Sequence, residues 1–580
     1  MSSLRIERRV TVPAGNFPAG LHPLLQRIYA GRQIQGAGEL DYRLSALHDF
    51  HAFRNIDAAV LLLADCVQAQ KHILIVGDFD ADGATSTALG VRTLRKMGAR
   101  RVDYLIPNRF EYGYGLTPEI VALAAKRDPD LIITVDNGIS SLQGVEAARA
   151  AGIRVLVTDH HLPGPELPLA DAILNPNLPG DPFPSKHLAG VGVLFYLLLA
   201  LRSHLRECGW FMACGIPEPN LAEHLDIVAL GTVADLVQFD HNNRILVYQG
   251  LERIRAGRCV PGIHALLDLG KRNLRRLSAS DLGFAVAPRL NAAGRLSDMS
   301  LGVECLLADE PAKAWELAER LDELNHQRRN IEVRMREEAM RVLEPMVLNP
   351  ADPALPFGVC LFNEEWHQGV VGLVASRIKD RLHRPVVAFA RGEDRTLKGS
   401  ARSVKNLHIR DVLEAVATRQ PGLITRFGGH SMAAGLTLAA NGFADFARIF
   451  DAEVRHRLGN GDLTGVMQTD GDLEAQFITL ETVELLRAAG PWGQGFPEPS
   501  FDGTFHLLER RIVGGKHLRL LLAERLTGLR LEAIVFNNDG SRLANGSDQV
   551  RIVYRPDINE YRGERRLQLL VDAIEPVASL

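Results

Sequence analysis

From about Ile73 to Asp235, short apolar runs alternate with stretches of helical spacing. The runs are ILIV (73–76), VDYLI (102–106), LIITV (131–135), VLVT (155–158) and DIVALGTVAD (226–235). Segments such as ATSTALGVRTLRKMG and SLQGVEAARAAG separate them. A strand buried on both sides has no polar face, so it reads as a continuous run rich in β-branched residues. Such runs alternating with helices specify an α/β fold with a parallel sheet covered on both faces.

Four of these runs, read as strands, end in potential metal ligands. ILIVG is followed by Asp78, Asp80 and Asp82, and LIITV by Asp136. VLVT is followed by Asp159, His160 and His161, and DIVALGTVA by Asp235. Parallel sheets bind ligands at the carboxyl ends of their strands. Four separate places in the sequence are therefore expected to converge on one site. Carboxylates packed together repel, and burying them without a cation is costly. Carboxylates joined by two imidazoles suit manganese better than an all-oxygen set does, and magnesium also fits. So many ligands imply two ions sharing a bridging carboxylate. Such a pair can hold a phosphate, generate hydroxide from water and stabilise a leaving oxygen.

Each piece has an ordinary reading on its own. An aspartate after a strand is most often a helix cap or a turn residue, and a single histidine is more often structural than a ligand. DFDADG begins like a calcium loop, but the twelfth position counted from Asp78 is Leu89 rather than Glu, and a strand precedes it. GVGVLF (190–195) has two glycines of a dinucleotide fingerprint and lacks the third. The joint pattern of acids and histidines carries far more weight than any member.

The rest of the chain reads as separate modules. The charged segment from about Glu310 to Leu348 has apolar residues at helical spacing and is expected to be a helical connector. NPADPALP (349–356) marks a boundary, after which a second α/β lobe runs to about Leu458. Past GNGDLTG (459–465), the pieces TFHLLERRIV, HLRLLL, LEAIVF, QVRIVYRP and RLQLLVDAI predict a small β-barrel. The expected division is 1–50, 51–308, 309–348, 354–458 and 463–580.

Lys plus Arg is 66 against Asp plus Glu at 70, a formal net charge of -4. That balance excludes a globally basic chain, so a polyanion must be met by a local basic channel. No apolar run reaches the ~18 residues of a membrane span. MSSLRIERRV lacks the apolar core of a secretory signal. Six cysteines without a CxxC pair do not form a disulfide or zinc framework, and a reduced cytoplasmic setting is expected.

DFDADG, VDNG, DHH and GTVAD, in that order, resemble the DHH phosphoesterase superfamily. Later segments narrow the likeness to its bacterial single-strand-specific 5′→3′ DNA exonucleases. These are APRLNAAGRL (287–296), EEWHQGVVGLVASR (364–377), KGSARS (398–403), FGGHSMAAG (427–435) and PWGQGFPEPSF (491–501). The resemblance runs from about residue 50 to the C-terminus. It implies a DHH domain, a DHHA1 lobe and an oligonucleotide-binding (OB) barrel. It implies two Mn²⁺ or Mg²⁺ ions held by Asp80, Asp82, Asp136, His160, His161 and Asp235. Asp136 is the expected bridge. Asp78 and Asp159 are expected to orient imidazoles or water, and Asp136, His161 and Asp159 form the expected catalytic group. The histidine that some DHH phosphatases carry four residues before the first aspartate is Val76 here. That favours a nuclease over a pyrophosphatase.

The resemblance also implies a 5′-phosphate pocket of Arg109, Ser400 and Arg402, with backbone amides around Gly429 and His430. Phe110, Tyr112 and Tyr114 would suit base stacking, and Arg510, Arg511, Lys516, His517 and Arg519 would track a strand along the barrel. The implied reaction is release of 5′-mononucleotides from single-stranded DNA in recombination and repair. The implied partners are single-strand-binding protein and a recombination helicase, with no membrane. Two other readings use the same residues: a phosphodiesterase of short oligonucleotides or cyclic dinucleotides, and a non-catalytic single-strand-binding scaffold.

Overall fold

The structure is a computed structural model. It describes residues 5–11, 16–108, 111–112, 114–344, 355–392, 395–459, 465–536, 548–561 and 563–577. The chain forms two compact units, Arg8–Glu323 with Gln468–Leu580, and Leu324–Met467 with the first residues.

The first unit is built on a five-stranded sheet. Its strands lie in the order Val102–Leu105, Ile73–Gly77, Leu131–Val135, Arg154–Thr158 and Ala172–Leu174. All neighbours are parallel. The two central strands are wholly buried. Alternate side chains serve opposite faces. Leu74 and Val76 share one core with Ile120, Val121, Val145 and Ala148 of the helices Pro118–Ala125 and Leu142–Ala150. On the other face Ile75 closely approaches Gly90 of the helix Ala81–Lys96. That helix packs with Gly190–Glu207 and Leu225–Ala234.

Register fixes the functional edge. Gly77 lies opposite Val135, and Val135 opposite Thr158. Asp78, Asp136 and Asp159 therefore each follow the last residue of one of three aligned strands.

One expectation is corrected. Residues 226–235 are not a strand: Leu225–Ala234 is an α-helix, and Asp235 caps its C-terminus. Residues 225–233 are all buried. A helix packed on every side has no polar face, so its 3.6-residue period disappears and its sequence looks like a buried strand. The fifth strand is instead Ala172–Leu174.

The tail closes into the expected barrel. Strands Phe501–Val513, His517–Glu524, Arg530–Val535, Glu564–Pro576 and Gln549–Tyr561 follow one another around it. A parallel pairing of Arg530–Val535 with Glu564–Pro576 completes the circuit. The approach to the barrel is anchored to the sheet domain. The Phe239 amide donates to the Gln494 carbonyl at 2.7 Å, and the Arg244 guanidinium lies 4.4 Å from the Phe496 ring centre.

The second unit carries a mixed five-stranded sheet. Its order is Ile424–Gly429, Ala433–Ala439, Thr396–Arg402, Val386–Arg391 and Val359–Phe362, with only the last pair parallel. Phe389, Leu413, Phe446 and Phe450 lie in its core. The charged segment is a 32-residue helix, Pro311–Val342. Among the described residues, no helix is long and apolar enough to cross a membrane.

Candidate metal centre and phosphate-binding residues

Three overlapping groups of ligand atoms gather at the carboxyl edge of the parallel sheet. Atoms of Asp136, Asp159, His160 and His161 lie within 4.8 Å of one another. So do those of Asp82, His160 and Asp235, and those of Asp78, Asp80 and Asp136. Asp136 and His160 each belong to two groups. His160 Nε2 is 3.0 Å from Asp136 Oδ1 and 3.4 Å from Asp235 Oδ2. Every acid and imidazole that the sequence assigns to the metal site is thus brought to one place.

Local structure sets each side chain. Asp80 has the ordinary capping role as well: its Oδ1 accepts from the amides of Asp82 and Gly83. Asp82, in the first turn of that helix, accepts from the Gly190 and Val191 amides at 2.6 and 3.0 Å. Asp136 adopts a left-handed backbone (φ 61°), a conformation costing about 1–2 kcal/mol for a residue with a Cβ. Its amide donates to the Thr158 carbonyl at 3.1 Å, which holds the turn. Asp159 accepts from the amides of Ile139, His160 and His161, and its Oδ1 lies 2.7 Å from His161 Nδ1. With the proton on Nδ1, Nε2 remains as a ligand nitrogen.

The electrostatics fit a cation. Burial, and then the neighbouring carboxylates, push Asp136 and Asp235 well above the usual carboxylate range. Burial and Asp80 raise Asp82 to about 7. Asp136 Oδ1 and Asp235 Oδ2 are buried, share the one nitrogen His160 Nε2, and make no well-aligned hydrogen bond among the described residues. Clustered oxygens of this kind are what hard divalent ions require. The Asp159–His161 pair behaves differently. Burial opposes both charges, but mutual attraction wins, lowering Asp159 to about 2 and raising His161 to about 9.

Comparison with known proteins follows this geometry. The DHH family, N-terminal domain, matches residues 72–232, the DHHA1 domain matches 356–456, and the RecJ OB domain matches 469–573. The single-stranded-DNA-specific exonuclease RecJ of Dickeya dadantii is 53% identical over 99% of both chains. That of Escherichia coli is 52% identical, again over 99% of both. The chain belongs to the RecJ family. RecJ from Thermus thermophilus in complex with Mn²⁺ has the same fold, with a TM-score of 0.80 at 28% identity, covering 100% of this chain and 80% of that one. Its complex with Mg²⁺ gives 0.74, covering 99% and 79%.

Within this chain, the phosphate-binding candidates lie in the second unit, apart from Arg109, which falls outside the described residues together with Phe110. Arg402 Nη1 donates to Ser400 Oγ at 3.0 Å and to the Ala401 carbonyl at 2.8 Å. A Cβ on Gly372, in the first turn of Val371–Leu382, would stand 2.8 Å from Arg402 Nη2 and 2.9 Å from Ser400 Oγ. The serine and arginine thus sit against a helix start. Ala433 pairs with Arg402 and accepts from the His430 amide at 2.8 Å, which brings the Gly429–His430 turn alongside.

Tyr114, read from the sequence as a base-stacking candidate, lies instead at the metal centre, and several other residues there are not singled out by the sequence. The Tyr114 hydroxyl lies 3.3 Å from both the Asp136 carbonyl and His161 Nδ1. Asn175 and Asn177 donate to the carbonyls of His161 and His160. Asn291 accepts from the Ala81 amide at 2.9 Å. Gly190 is the most constrained: a Cβ there would be 2.6 Å from Asp136 Cβ. The GVGVLF run is therefore a helix start that receives two acids, and its glycines were the available signal.

Proposed function

We propose that this chain is a metal-dependent nuclease that removes 5′-mononucleotides from the 5′ ends of single-stranded DNA in recombination and repair. The convergence of Asp82, Asp136, His160 and Asp235, with two buried carboxylate oxygens crowded onto one imidazole nitrogen, carries this reading. Full-length similarity to single-stranded-DNA-specific exonucleases supports it over a small-oligonucleotide phosphodiesterase or a non-catalytic scaffold.

Asp80, Asp82, Asp136, His160, His161 and Asp235 would hold two Mn²⁺ or Mg²⁺ ions, and Asp136, shared between two ligand groups, would bridge them. Such ions bind a phosphate, lower the pKa of water and neutralise a leaving oxygen. The chain's own residues do the positioning. Asp159 fixes the His161 tautomer, and its bonds to three amides hold the histidine pair on the strand end. The Gly190 and Val191 amides fix the orientation of Asp82. Arg402 and Ser400, beside a helix N-terminus, suit the 5′-phosphate through paired charge-assisted hydrogen bonds. On this reading the chain works in the cytoplasm, on strands supplied by a recombination helicase and coated by single-strand-binding protein.

Metal-titrated digestion of end-labelled DNA tests the proposal. Long single strands should shorten from the 5′ end only when Mn²⁺ or Mg²⁺ is present, and Asp136→Ala should abolish turnover while retaining DNA binding. Cleavage confined to dinucleotides, or binding without products, would refute it.

A further inference from the structure

A second polar cluster lies at the opposite ends of the helices that carry the catalytic acids. Ala81–Lys96 has Asp82 in its first turn and Arg92 and Lys96 near its end. Leu225–Ala234 runs from His224 at its N-cap to Asp235 at its C-cap. Ten residues of helix separate these caps by about 15 Å. The cluster is therefore distinct from the metal centre.

Arg92, Lys96, His224, Arg253 and Arg258 line a cleft of about 420 Å³. Its buried nitrogens are unusually short of partners. His224 is 4% exposed, and among the described residues neither of its ring nitrogens has a hydrogen-bond partner. Arg92 Nη2 and Arg253 Nε are likewise buried without one. Leaving a buried polar group unsatisfied is costly, so four such nitrogens in one cleft favour an anion that can bond to the donors among them. Nearby acids do not satisfy them. Glu223 is taken by Lys96 at 3.1 Å, and Asp309 holds only Nη1 of Arg92, at 2.8 Å. Asp226 accepts from the Val260 amide through Oδ2 at 2.7 Å, and its buried Oδ1 adds a negative charge that Arg253 offsets in part. Backbone carbonyls take Arg92 Nε (Leu306, 3.0 Å) and Arg253 Nη2 (Arg258, 3.2 Å), leaving the nitrogens named above. The cleft also lies at the positive end of Leu225–Ala234, and Val260, which lines it, caps the helix Pro261–Leu269.

We infer that this cleft binds a phosphate group, carried either by inorganic phosphate or by a nucleoside monophosphate. A tetrahedral oxyanion offers several acceptors to convergent guanidinium, ammonium and imidazole donors. The volume lies within the range that holds a small organic ligand. His224 reports occupancy. Burial, with Lys96 and Arg92 nearby, lowers its pKa to about 4, and an anion in the cleft would oppose that shift.

The test uses the full-length, metal-free protein labelled at histidine Cε1, so that phosphate bound elsewhere is not mistaken for this site. Inorganic phosphate and adenosine 5′-monophosphate are titrated separately at constant ionic strength. The resonance lost in His224→Gln should shift saturably, and Arg253→Gln or the exposed Arg258→Gln should weaken that response about tenfold. Equal responses to both probes would identify the phosphate alone as the ligand, and a tighter response to the nucleotide would add recognition of the nucleoside. A resonance that does not move, or one that moves equally in the arginine variants, would overturn the inference. Should His224→Gln not fold, crystals soaked in tungstate give the same answer. Density beside His224 and Arg253 supports the site, and a cleft holding only water refutes it.

Discussion

Substitution of Gly190 by Ala tests whether close packing sets the metal centre. The new Cβ would stand 2.6 Å from Asp136 Cβ and 2.9 Å from both its Cα and Oδ1. Carbon atoms prefer about 3.5–4.0 Å, so relief requires a shift of about 1 Å. A backbone Cα cannot swing away as a side-chain tip does. Either Asp136 moves, or the start of Gly190–Glu207 moves and carries the amides that hold Asp82. Overpacking of this kind costs about 1–3 kcal/mol in stability, and a 1 Å misplacement of a reacting group costs about 10²-fold in rate. Digestion of 5′-labelled single strands in Mn²⁺ should therefore show kcat reduced about 100-fold, with weaker Mn²⁺ binding by calorimetry. Gly192→Ala is the control. Its Cβ would meet Leu188 Cδ2 at 3.0 Å, a flexible tip that can yield. Gly190→Ala with kcat and Mn²⁺ affinity near those of Gly192→Ala would refute the argument.

Further outcomes follow from the same geometry. Asp159→Asn replaces a carboxylate that pairs with His161 and accepts three amides. It should destabilise the protein by about 3–5 kcal/mol in denaturant titration and weaken Mn²⁺ binding about 10- to 100-fold; unchanged values would remove Asp159 from its orienting role. The metal-free protein should lose stability as pH rises. Asp82, raised to about 7, carries a penalty that is absent below pH ~4 and complete above ~7. His161, raised to about 9, contributes stability that is full below pH ~6.5 and lost through ~9. The gain in melting temperature on adding Mn²⁺ should therefore widen from pH 5.5 to 8.5, and a constant gain would contradict both shifts. Arg402→Ala should reduce the preference for 5′-phosphorylated over 5′-hydroxyl ends in competition digests. Equal digestion by wild type and variant would exclude Arg402 from end recognition.

The sheet was legible because its central strands are buried on both faces, leaving unbroken apolar runs. The same cue misleads at Leu225–Ala234, where burial on every side erases helical periodicity. Ala172–Leu174 is too short to stand out. Asp78, Asp80, Asp82, Asp136, Asp159 and the two histidines come together because strand ends in a parallel sheet share one edge, whereas Asp235 reaches the same place from a helix C-terminus that the sequence reads as a strand. Asp80 shows that the ordinary and functional readings can coexist, since it caps a helix and also joins the cluster. Gly190 was hidden because its value lies in the approach of Gly190–Glu207 to Asp136, a tertiary contact with no local pattern. The same holds for His224 and Arg253, which the packing of the helices Leu225–Ala234 and His241–Arg255 brings together.

Asp136 is proposed to bridge two divalent ions. Crystals of the full chain soaked in Mn²⁺ and measured at the manganese absorption edge test it directly. Two anomalous peaks about 3.5–4 Å apart are expected, with Asp136 contacting both and with His160, Asp82 and Asp235 among the ligands. A single peak, or two peaks that Asp136 does not join, would contradict it.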